Sequence, residues 1–381
     1  MGRMGGAIAA AVIGHPEGQR HAEPAAIKLE RAAHDRADTG QLGLKLIHRQ
    51  GRDPCQRAIF GAIDHAATSG DLDPLGDPVK QSAEAFAPIL DREFQRIEIV
   101  DLGGDHKAVG RVLRAGIKAM LVGQAACRVD LAALRGLADN LRDEVAAGGP
   151  THAQIDPDTA INLHSWDAIL MAAGAAIDAT DAVLAGELAN AFCAVRPPGH
   201  HATRGQAMGF CFVNNVAVAA RYALERHGLK RVAIIDFDVH HGNGTEDIVA
   251  GDDRILMCSF YQHPFYPACD HSTAANLVNV PVPAYTKGMD IRELIDVMWL
   301  PRLDAHKPEL IFISAGFDAH REDDMAQLGL VEQDYAWMTS RIKEVAQRHA
   351  KGRIVSCLEG GYALSALARS VEAHLRVLAD V

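Results

Sequence analysis

Asp238 and His240 stand one residue apart, directly after an apolar run that ends at Phe237. If that run is a strand, the two side chains point to the same face and can bind one ion together. Asp318 follows another apolar run, so the three residues would supply three protein ligands and leave one position open. This ligand number is typical of a catalytic divalent metal. The competing interpretation, a turn cap and a packing histidine, is weakened by the polar clusters described next.

A pair of adjacent histidines, His200 and His201, follows a stiff Pro-Pro-Gly turn. Two imidazoles near a metal suit proton transfer, because one can take a proton from an attacking water while the other supplies a proton to the leaving group. Each ring needs a partner on its other nitrogen to fix its tautomer and basicity. Asp236 and Asn243 are the natural candidates. In isolation a His-His pair is more often part of a solvated loop, but these neighbours favour catalysis.

Tyr362 follows two glycines and can present its phenol hydroxyl to a carbonyl oxygen, where it would stabilise an oxyanion. Alone, such a turn would usually be structural. Gly209 gives a backbone that is free to approach a ligand, and Phe210 beside it supplies an aromatic wall. Phe265 or Tyr266 could supply the second wall of a narrow substrate channel.

The elements that position these residues are predicted as alternating strands and helices, a pattern typical of a largely parallel sheet. Polar clusters follow four of the strands, and ligands of open parallel sheets bind beyond the carboxyl ends, so the clusters should meet in one crevice. The predicted strands are Ala191–Val195, Val232–Phe237, Ile255–Phe260, Leu310–Ser314 and Ile354–Leu358. The predicted helices are Val109–Leu121, Leu131–Val145, Ser165–Ala185 (capped by Ser165), Val213–His227 and Glu332–Ala350.

Composition excludes several classes of function. The 381 residues include 38 basic and 49 acidic side chains, a net charge of −11, which argues against a protein that binds nucleic acid through phosphates. No apolar run approaches the roughly 18 residues of a membrane span. The seven cysteines are scattered without a C-x-x-C pair and are expected to be reduced packing residues. We therefore expect a cytoplasmic enzyme without nucleic-acid or membrane partners.

The aromatic residues divide the chain unevenly. Of 11 phenylalanines only three lie in residues 1–150, and all three tryptophans and all six tyrosines come later. Residues 1–150 are accordingly set apart as an N-terminal segment, and residues 151–381 are predicted to form the catalytic domain.

Five ordered motifs together resemble the histone deacetylase superfamily. They are the segments 196–202, 209–215, 236–245, 314–319 and 359–362. The resemblance is closest to the class II-like branch with bacterial acetylpolyamine amidohydrolases and acetoin-utilisation-type deacetylases, and it covers roughly residues 155–366. It implies the arginase/deacetylase α/β fold, a largely parallel β-sheet flanked by helices on both faces. It also implies a zinc-dependent amidohydrolase that releases acetate from an N-acetylated amine.

The resemblance also assigns roles by position. It implies zinc, which iron(II) can replace in such sites, and it implies a second cation site that is usually occupied by potassium. The implied zinc ligands are Asp238, His240 and Asp318, and the potassium site would fall on Asp236, Ser259, Phe260 and the backbones of Asp238 and His240. The implied general base is His201, with His200 as its electrostatic and acid partner and Tyr362 as the oxyanion stabiliser.

Two features depart from the family pattern. The family opens with a strand and a His-Pro-Glu segment; His15 begins such a segment, but it lies 185 residues before His200 and no strand is predicted ahead of it. The aspartate that grips the substrate backbone in the family is left unassigned.

Met325 stands seven residues after Asp318, at about the position where polyamine-selective relatives carry a glutamate. An apolar residue there favours acyl-lysine or neutral substrates.

The sequence thus predicts a metal-dependent deacetylase that acts on acetyl-lysine in proteins or peptides. An acetylpolyamine or other small-molecule amidohydrolase is the alternative among enzymes. A catalytically silent module that binds acyl-lysine is the alternative from another class. The expected partner is an acetylated protein, peptide or small-molecule amine, and the oligomeric state, including a homo-oligomer, stays open.

Overall fold

The structure is a computed structural model that describes residues 11–14 and 131–381. Its strands are β1 (Ala11–Gly14), β2 (His152–Gln154), β3 (Ala160–Asn162), β4 (Asn190–Cys193), β5 (Val232–Asp236), β6 (Ile255–Gln262), β7 (Leu277–Val282), β8 (Ile311–Ala315) and β9 (Ile354–Leu358). Its helices are α1 (Leu131–Ala146), α2 (Ser165–Ala185), α3 (Asn215–Arg226), α4 (Asn243–Val249), α5 (Gly288–Leu294), α6 (Leu300–His306), α7 (Glu332–His349) and α8 (Leu364–Leu378), with a π-helical turn, Ile295–Trp299, between α5 and α6.

Seven strands form one sheet in the order β1-β4-β9-β8-β5-β6-β7, and β2 pairs with β3 in a separate hairpin. β1 runs antiparallel to β4, and the other strands of the large sheet are parallel. Helices pack on both faces of this sheet. Along β5, Val232 and Ile234 face the hydrophobic core under α2 and α3, whereas Ala233 and Ile235 face the core under α7 and α8. The prediction of a largely parallel sheet covered by helices on both faces is confirmed.

The predicted elements that lie in the described residues are present with differences at their ends, but four short or irregular strands and the helices α4, α5, α6 and α8 were not predicted. The five predicted strands are present with ends shifted by at most two residues, and Ile354–Leu358 has the predicted bounds. Ser165 begins α2 but makes no capping hydrogen bond, whereas the side chain of Asn214 caps α3. The helix predicted at Val109–Leu121 lies outside the described residues. β7, β2 and β3 were not predicted; β7 is an edge strand interrupted by Pro281, and the other two have three residues each.

The expectation that no strand precedes His15 was wrong. Ala11–Gly14 forms β1, and Ala11 pairs with Cys193 and Gly14 with Asn190. Four residues of a short apolar run carry no periodicity that separates a strand from other structures. Farther along, Ala138 and Leu141 of α1 are buried in the same core as α2. The division of the chain at residue 150 stays a prediction.

Helix α2 has the hydropathy of a membrane-spanning segment although it packs inside the protein. α2 has the length and mean hydropathy, 1.6 over 18 residues, that would allow it to cross a membrane, although the sequence was expected to contain no such segment. In the structure 78% of that stretch is buried inside the protein. Its apolar character is therefore explained by packing against β4, β9 and α3.

His374 of α8 is a buried histidine away from the sheet edge where the polar clusters lie. Its Nδ1 lies 2.7 Å from the hydroxyl of Thr339, and its Nε2 lies 3.0 Å from the hydroxyl of Ser356. Phe192 and Phe237 pack against the ring. Burial lowers the pKa of His374 to about 3.

This depressed pKa predicts a contribution of His374 to acid sensitivity. The unfolded chain has the ordinary histidine pKa of about 6.5, so the neutral native ring contributes full stability above that pH and loses it as the pH falls toward 3. The loss is about 1.4 kcal/mol per pH unit. We expect His374→Gln to flatten the fall of the unfolding free energy between about pH 6.5 and 4.5, measured by urea denaturation. The control is His152→Gln, because His152 is exposed. If the unfolding free energy of His374→Gln falls with pH as steeply as that of wild type, the prediction is contradicted.

Candidate active site

The loops that follow β4, β5, β8 and β9 meet at the carboxyl edge of the parallel sheet. Gly360 after β9 donates its backbone N–H to Asp238 after β5 at 2.8 Å. Val239 donates its backbone N–H to Asp318 after β8 at 2.9 Å. The backbone of His200 after β4 contacts Glu359 of β9 through a hydrogen bond of 3.1 Å. The four polar clusters therefore form one site.

Asp238, His240 and Asp318 form a buried group whose potential ligand atoms lie within 4.8 Å of one another. Nδ1 of His240 is 3.0 Å from Oδ1 of Asp238 and 3.1 Å from Oδ2 of Asp318. Apart from this approach of His240, Oδ2 of Asp318 is buried without a hydrogen-bond partner. One imidazole nitrogen and two carboxylates, one of them with an unsatisfied oxygen, are a donor set that fits a divalent metal.

Burial and the neighbouring charges shift the pKa values of His240 and Asp318. Burial opposes a charge on His240, but the carboxylates of Asp238 and Asp318 outweigh it and raise the pKa of His240 to about 10. Burial and the neighbouring charge of Asp238 raise the pKa of Asp318 to about 6. The negative charge of the two carboxylates is thus compensated by a proton on His240, and a bound cation would take over that compensation.

A glycine leaves the space that such a cation needs. A Cβ atom on Gly360 would lie 2.0 Å from Oδ2 of Asp318 and 2.6 Å from Oδ2 of Asp238. Contacts that short are not tolerated by real side chains, so the carboxylates can converge only because residue 360 lacks a side chain.

His200 and His201 each have a different partner. Nδ1 of His200 is 3.0 Å from Oδ2 of Asp236, and Nδ1 of His201 is 2.8 Å from Oδ1 of Asn243. The two ring centroids are 4.0 Å apart. The structure therefore brings each histidine to the partner that the sequence suggested for it.

The two rings have opposite pKa shifts, which burial and the neighbouring charges cause. Burial opposes a charge on His200, but Asp238 and Asp236 outweigh it and raise the pKa of His200 well above its ordinary value. Burial lowers the pKa of His201, and the neighbouring His200 and His240 lower it further. His200 therefore holds a proton while His201 is neutral and free to accept one.

Glu359 is a central residue to which the sequence assigned no role. Its buried carboxylate accepts hydrogen bonds from the backbone N–H groups of Gly199 at 2.7 Å and His200 at 3.1 Å, and from the hydroxyl of Ser314 at 3.0 Å. Burial raises its pKa to about 7. Glu359 thus holds the turn before the histidine pair against β8 and β9. A glutamate at the end of an apolar strand was the available signal, but its partners are distant in sequence.

Tyr362 lies on the loop after β9, next to the wall residue Phe210. Burial raises the pKa of Tyr362, and Asp318 raises it further, so the phenol keeps its proton. The ring centroids of Tyr362 and Phe210 are 6.3 Å apart. The carboxylate of Asp323 accepts hydrogen bonds from the backbone N–H groups of Tyr362 and Ala363 at 2.6 and 2.9 Å, a fixation that the sequence did not reveal.

The proposed channel residues lie around the histidines. Gly209 has φ +56°, and a Cβ there would lie 2.5 Å from Cδ2 of His201, so this position requires glycine. Phe265 stacks on His240 at 5.4 Å, and the ring of Tyr266 packs edge-on against His201 at 5.1 Å. Both aromatic residues therefore face the site, where the sequence had offered them as alternatives.

Met325 and the residues of the expected potassium site are also placed by the structure. Met325 is 39% exposed, and its backbone N–H donates to Asp323 at 3.0 Å. Asp236 and Ser259 are paired neighbours on β5 and β6. Phe260 follows Ser259 and stacks on Trp299, so it offers its backbone and not its ring to such a site. The identity of a cation there stays a prediction.

The loop between β2 and β3 reaches the mouth of the site, which the sequence analysis did not anticipate. The hydroxyl of Thr159 accepts a hydrogen bond from the backbone N–H of Phe210 at 3.1 Å. Burial raises the pKa of Tyr266 to about 12, with a further contribution from Asp156 and Asp158. Two acidic side chains therefore lie on this side of the mouth, and the Asp-x-Asp-Thr spacing was the signal that could have located them.

Comparisons with known proteins relate the chain to one family. The family described as "Histone deacetylase domain" matches residues 130–378. A histone deacetylase-like amidohydrolase of Pseudomonas aeruginosa is 41% identical over 57% of this chain and 58% of its own length. A probable deacetylase of Archaeoglobus fulgidus is 41% identical over 55% of this chain and 60% of its own length. The crystal structure of the HDA15 HD domain matches with a TM-score of 0.59 and 31% identity, over 71% of this chain and 81% of that one. The chain thus spans about three-fifths of the length of these two relatives.

Proposed function

The chain belongs to the histone deacetylase family, and on that premise we propose that it is a metal-dependent amidohydrolase that removes acetyl groups from N-acetylated amines. The observation that carries the proposal is the buried group Asp238, His240 and Asp318 beside two histidines, one of which pairs with a carboxylate and the other with an amide. The metal proposed for this group is zinc, because one nitrogen and two carboxylate ligands with an open position match a catalytic zinc site. Iron(II) is the alternative metal.

The residues around the metal site divide the work of amide hydrolysis. A bound metal would polarise the substrate carbonyl and make water a stronger acid. His201 is the neutral ring and accepts the proton of the attacking water, with Asn243 fixing its orientation. His200, held protonated by Asp238 and Asp236, lowers the proton affinity of His201 and so favours delivery of the accepted proton to the leaving amine. Tyr362 keeps its hydroxyl proton and donates it in a hydrogen bond to the oxyanion.

We propose acetyl-lysine in proteins or peptides as the substrate class. The exposed side chain of Met325 is apolar and gives no counter-charge for the second ammonium of a polyamine, and the Met325 backbone shares the carboxylate of Asp323 with the backbone of Tyr362. Phe210 and Phe265 suit the aliphatic stem of an acyl-lysine side chain.

The test of this function is the release of acetate by the purified full chain. With added zinc or iron(II), we expect faster release from an acetyl-lysine peptide than from N-acetylputrescine, and loss of both after chelation. A preference for N-acetylputrescine would support the small-molecule amidohydrolase and overturn the substrate class. Peptide binding without acetate release would support a silent binding module and overturn the enzymatic function.

Asp156 is our candidate for the aspartate that grips the substrate backbone. Its Oδ1 accepts hydrogen bonds from the backbone N–H groups of Asp158 and Thr159 at 2.8 and 2.5 Å, which fixes the carboxylate in the loop next to Phe210. We expect Asp156→Ala to raise KM for an acetyl-lysine peptide by about tenfold, the value of about one hydrogen bond to a charged group, with a smaller change in kcat. Asp158→Ala is the matched control. Equal KM values in Asp156→Ala and wild type, or a larger rise in the control, would remove Asp156 from this role.

A further inference from the structure

A second cluster of metal-ligating side chains lies beside the active site and has no part in the mechanism above. His241 is buried next to the metal-site residue His240, but its ring faces the loop 263–272 instead. Its Nε2 lies 3.1 Å from Oε2 of Glu246, and its Nδ1 lies 3.7 Å from the sulfur of Cys269. Cys269 is exposed. A thiol at the surface and an oriented imidazole thus face each other.

The orientation of His241 has the form found in metal sites. A histidine that binds a metal through one ring nitrogen almost always donates the N–H of the other nitrogen to a carboxylate, a backbone carbonyl or water. Here the carboxylate of Glu246 contacts Nε2 of His241. The same carboxylate accepts hydrogen bonds from the backbone N–H of Ser272 and the side-chain amide of Asn279, both at 2.5 Å. Nδ1 is left with its lone pair toward the Cys269 sulfur.

The distance between the two donor atoms also fits. A tetrahedral metal with a bond of about 2.05 Å to nitrogen and about 2.3 Å to sulfur separates the two ligand atoms by about 3.6 Å. The separation of His241 Nδ1 and Cys269 Sγ is 3.7 Å. The pair could therefore bind one ion with almost no movement.

A third ligand is available on the same loop. His271 stands two residues after Cys269, and its neighbour Ser272 is tied to Glu246, so the loop holds His271 close to the pair. Its ring lies at the edge of Tyr261, which also contacts the rings of His241 and His263. Among the described residues, the group at Asp238 is the one whose three ligand atoms already lie within 4.8 Å, so His271, which is exposed, must turn inward to complete the second set.

We propose that Cys269, His241 and His271 form a second metal site, selective for a thiolate-binding ion such as zinc, with water in the remaining position. Thiolate and imidazole ligands favour zinc and related transition metals over magnesium or calcium. The loop that carries this site also carries Phe265, which stacks on His240. A metal bound there holds one wall of the active site in place.

The test uses cobalt(II) as the probe, because a thiolate ligand gives a near-ultraviolet charge-transfer band that the Asp-His-Asp site cannot produce. Metal-free full-length protein is titrated with cobalt(II), and the metal bound per chain is measured. We expect two ions per wild-type chain and the thiolate band. Cys269→Ser should lose the band and bind one ion. His271→Ala should weaken binding at this site by at least about tenfold.

His263→Ala is the matched control, since His263 is exposed on the same loop with its ring 6.2 Å from that of His271. We expect its titration to equal that of wild type. Absence of a thiolate band in wild type, or its persistence in Cys269→Ser, overturns the site. An unchanged affinity in His271→Ala, or an equal loss in His263→Ala, overturns the three-ligand assignment. None of these readouts depends on acetate release, so failure of the second metal site and failure of the proposed function are separate results.

Discussion

Tyr362→Phe is expected to lower kcat for an acetyl-lysine peptide by about 10²- to 10³-fold while KM changes little. The substitution removes one hydroxyl, and that hydroxyl donates its hydrogen bond chiefly to the oxyanion, a charge that is absent from the bound substrate. The ring of Tyr362 still packs near Phe210, so the channel keeps its shape. The backbone of residue 362 also keeps its hydrogen bond to Asp323.

The measurement is a steady-state comparison of acetate release by wild type and variant, both loaded with the same metal. Tyr285→Phe is the matched control, because Tyr285 loses the same atom but is 72% exposed. We expect its kcat to equal that of wild type. A Tyr362→Phe enzyme with unchanged kcat, or one whose loss appears in KM alone, would contradict the role of the phenol.

Gly360→Ala is expected to abolish metal binding at the Asp-His-Asp group and, with it, acetate release. The added methyl would lie 2.0 Å from Oδ2 of Asp318 and 2.6 Å from Oδ2 of Asp238, so one or both carboxylates must move out of the ligand position. The hydrogen bond from the Gly360 backbone to Asp238 would be lost with that movement. Such a substitution removes no functional group and acts only by occupying space.

Metal content per chain and acetate release are the two readouts for Gly360→Ala. Gly136→Ala is the control, because Gly136 lies inside α1 with no atom within 4 Å of an added Cβ. Alanine there favours the helix by up to about 1 kcal/mol. Circular dichroism on both variants separates loss of the metal site from loss of the fold. A folded Gly360→Ala protein that binds metal as wild type does would show that the glycine is dispensable.

The metal-site residues, the histidine pair and Tyr362 were all predicted from the sequence, and each lies on a loop that follows a strand of the parallel sheet. Asp238 and His240 could be assigned to one face because side chains alternate along a strand, and Asp318 could be assigned to the same edge because parallel strands end together. The fold class followed from the same regular alternation of strands and helices.

The residues that the sequence analysis missed make hydrogen bonds to backbone groups that are distant in sequence. Glu359 accepts hydrogen bonds from residues about 160 positions earlier, Gly199 and His200, and no local pattern encodes that pairing. Asp323 holds the backbone of Tyr362 across 39 positions in the same way. β1 was missed for a related reason, since four residues gain their strand character only by pairing with β4. Long-range contacts of this kind are decided by the assembled fold.

The carboxylate of Asp323 connects the loop of Met325 with the loop of Tyr362. One carboxylate oxygen accepts the backbone N–H of Met325, and the other accepts those of Tyr362 and Ala363. A change of loop conformation at Met325, made to admit a different amine, pulls on the same carboxylate that positions the catalytic phenol. From the proposed roles of Met325 and Tyr362 we expect substrate range and turnover to be linked. A redesign that keeps the backbone of residues 323–325 and changes only the side chain of residue 325 is expected to separate them.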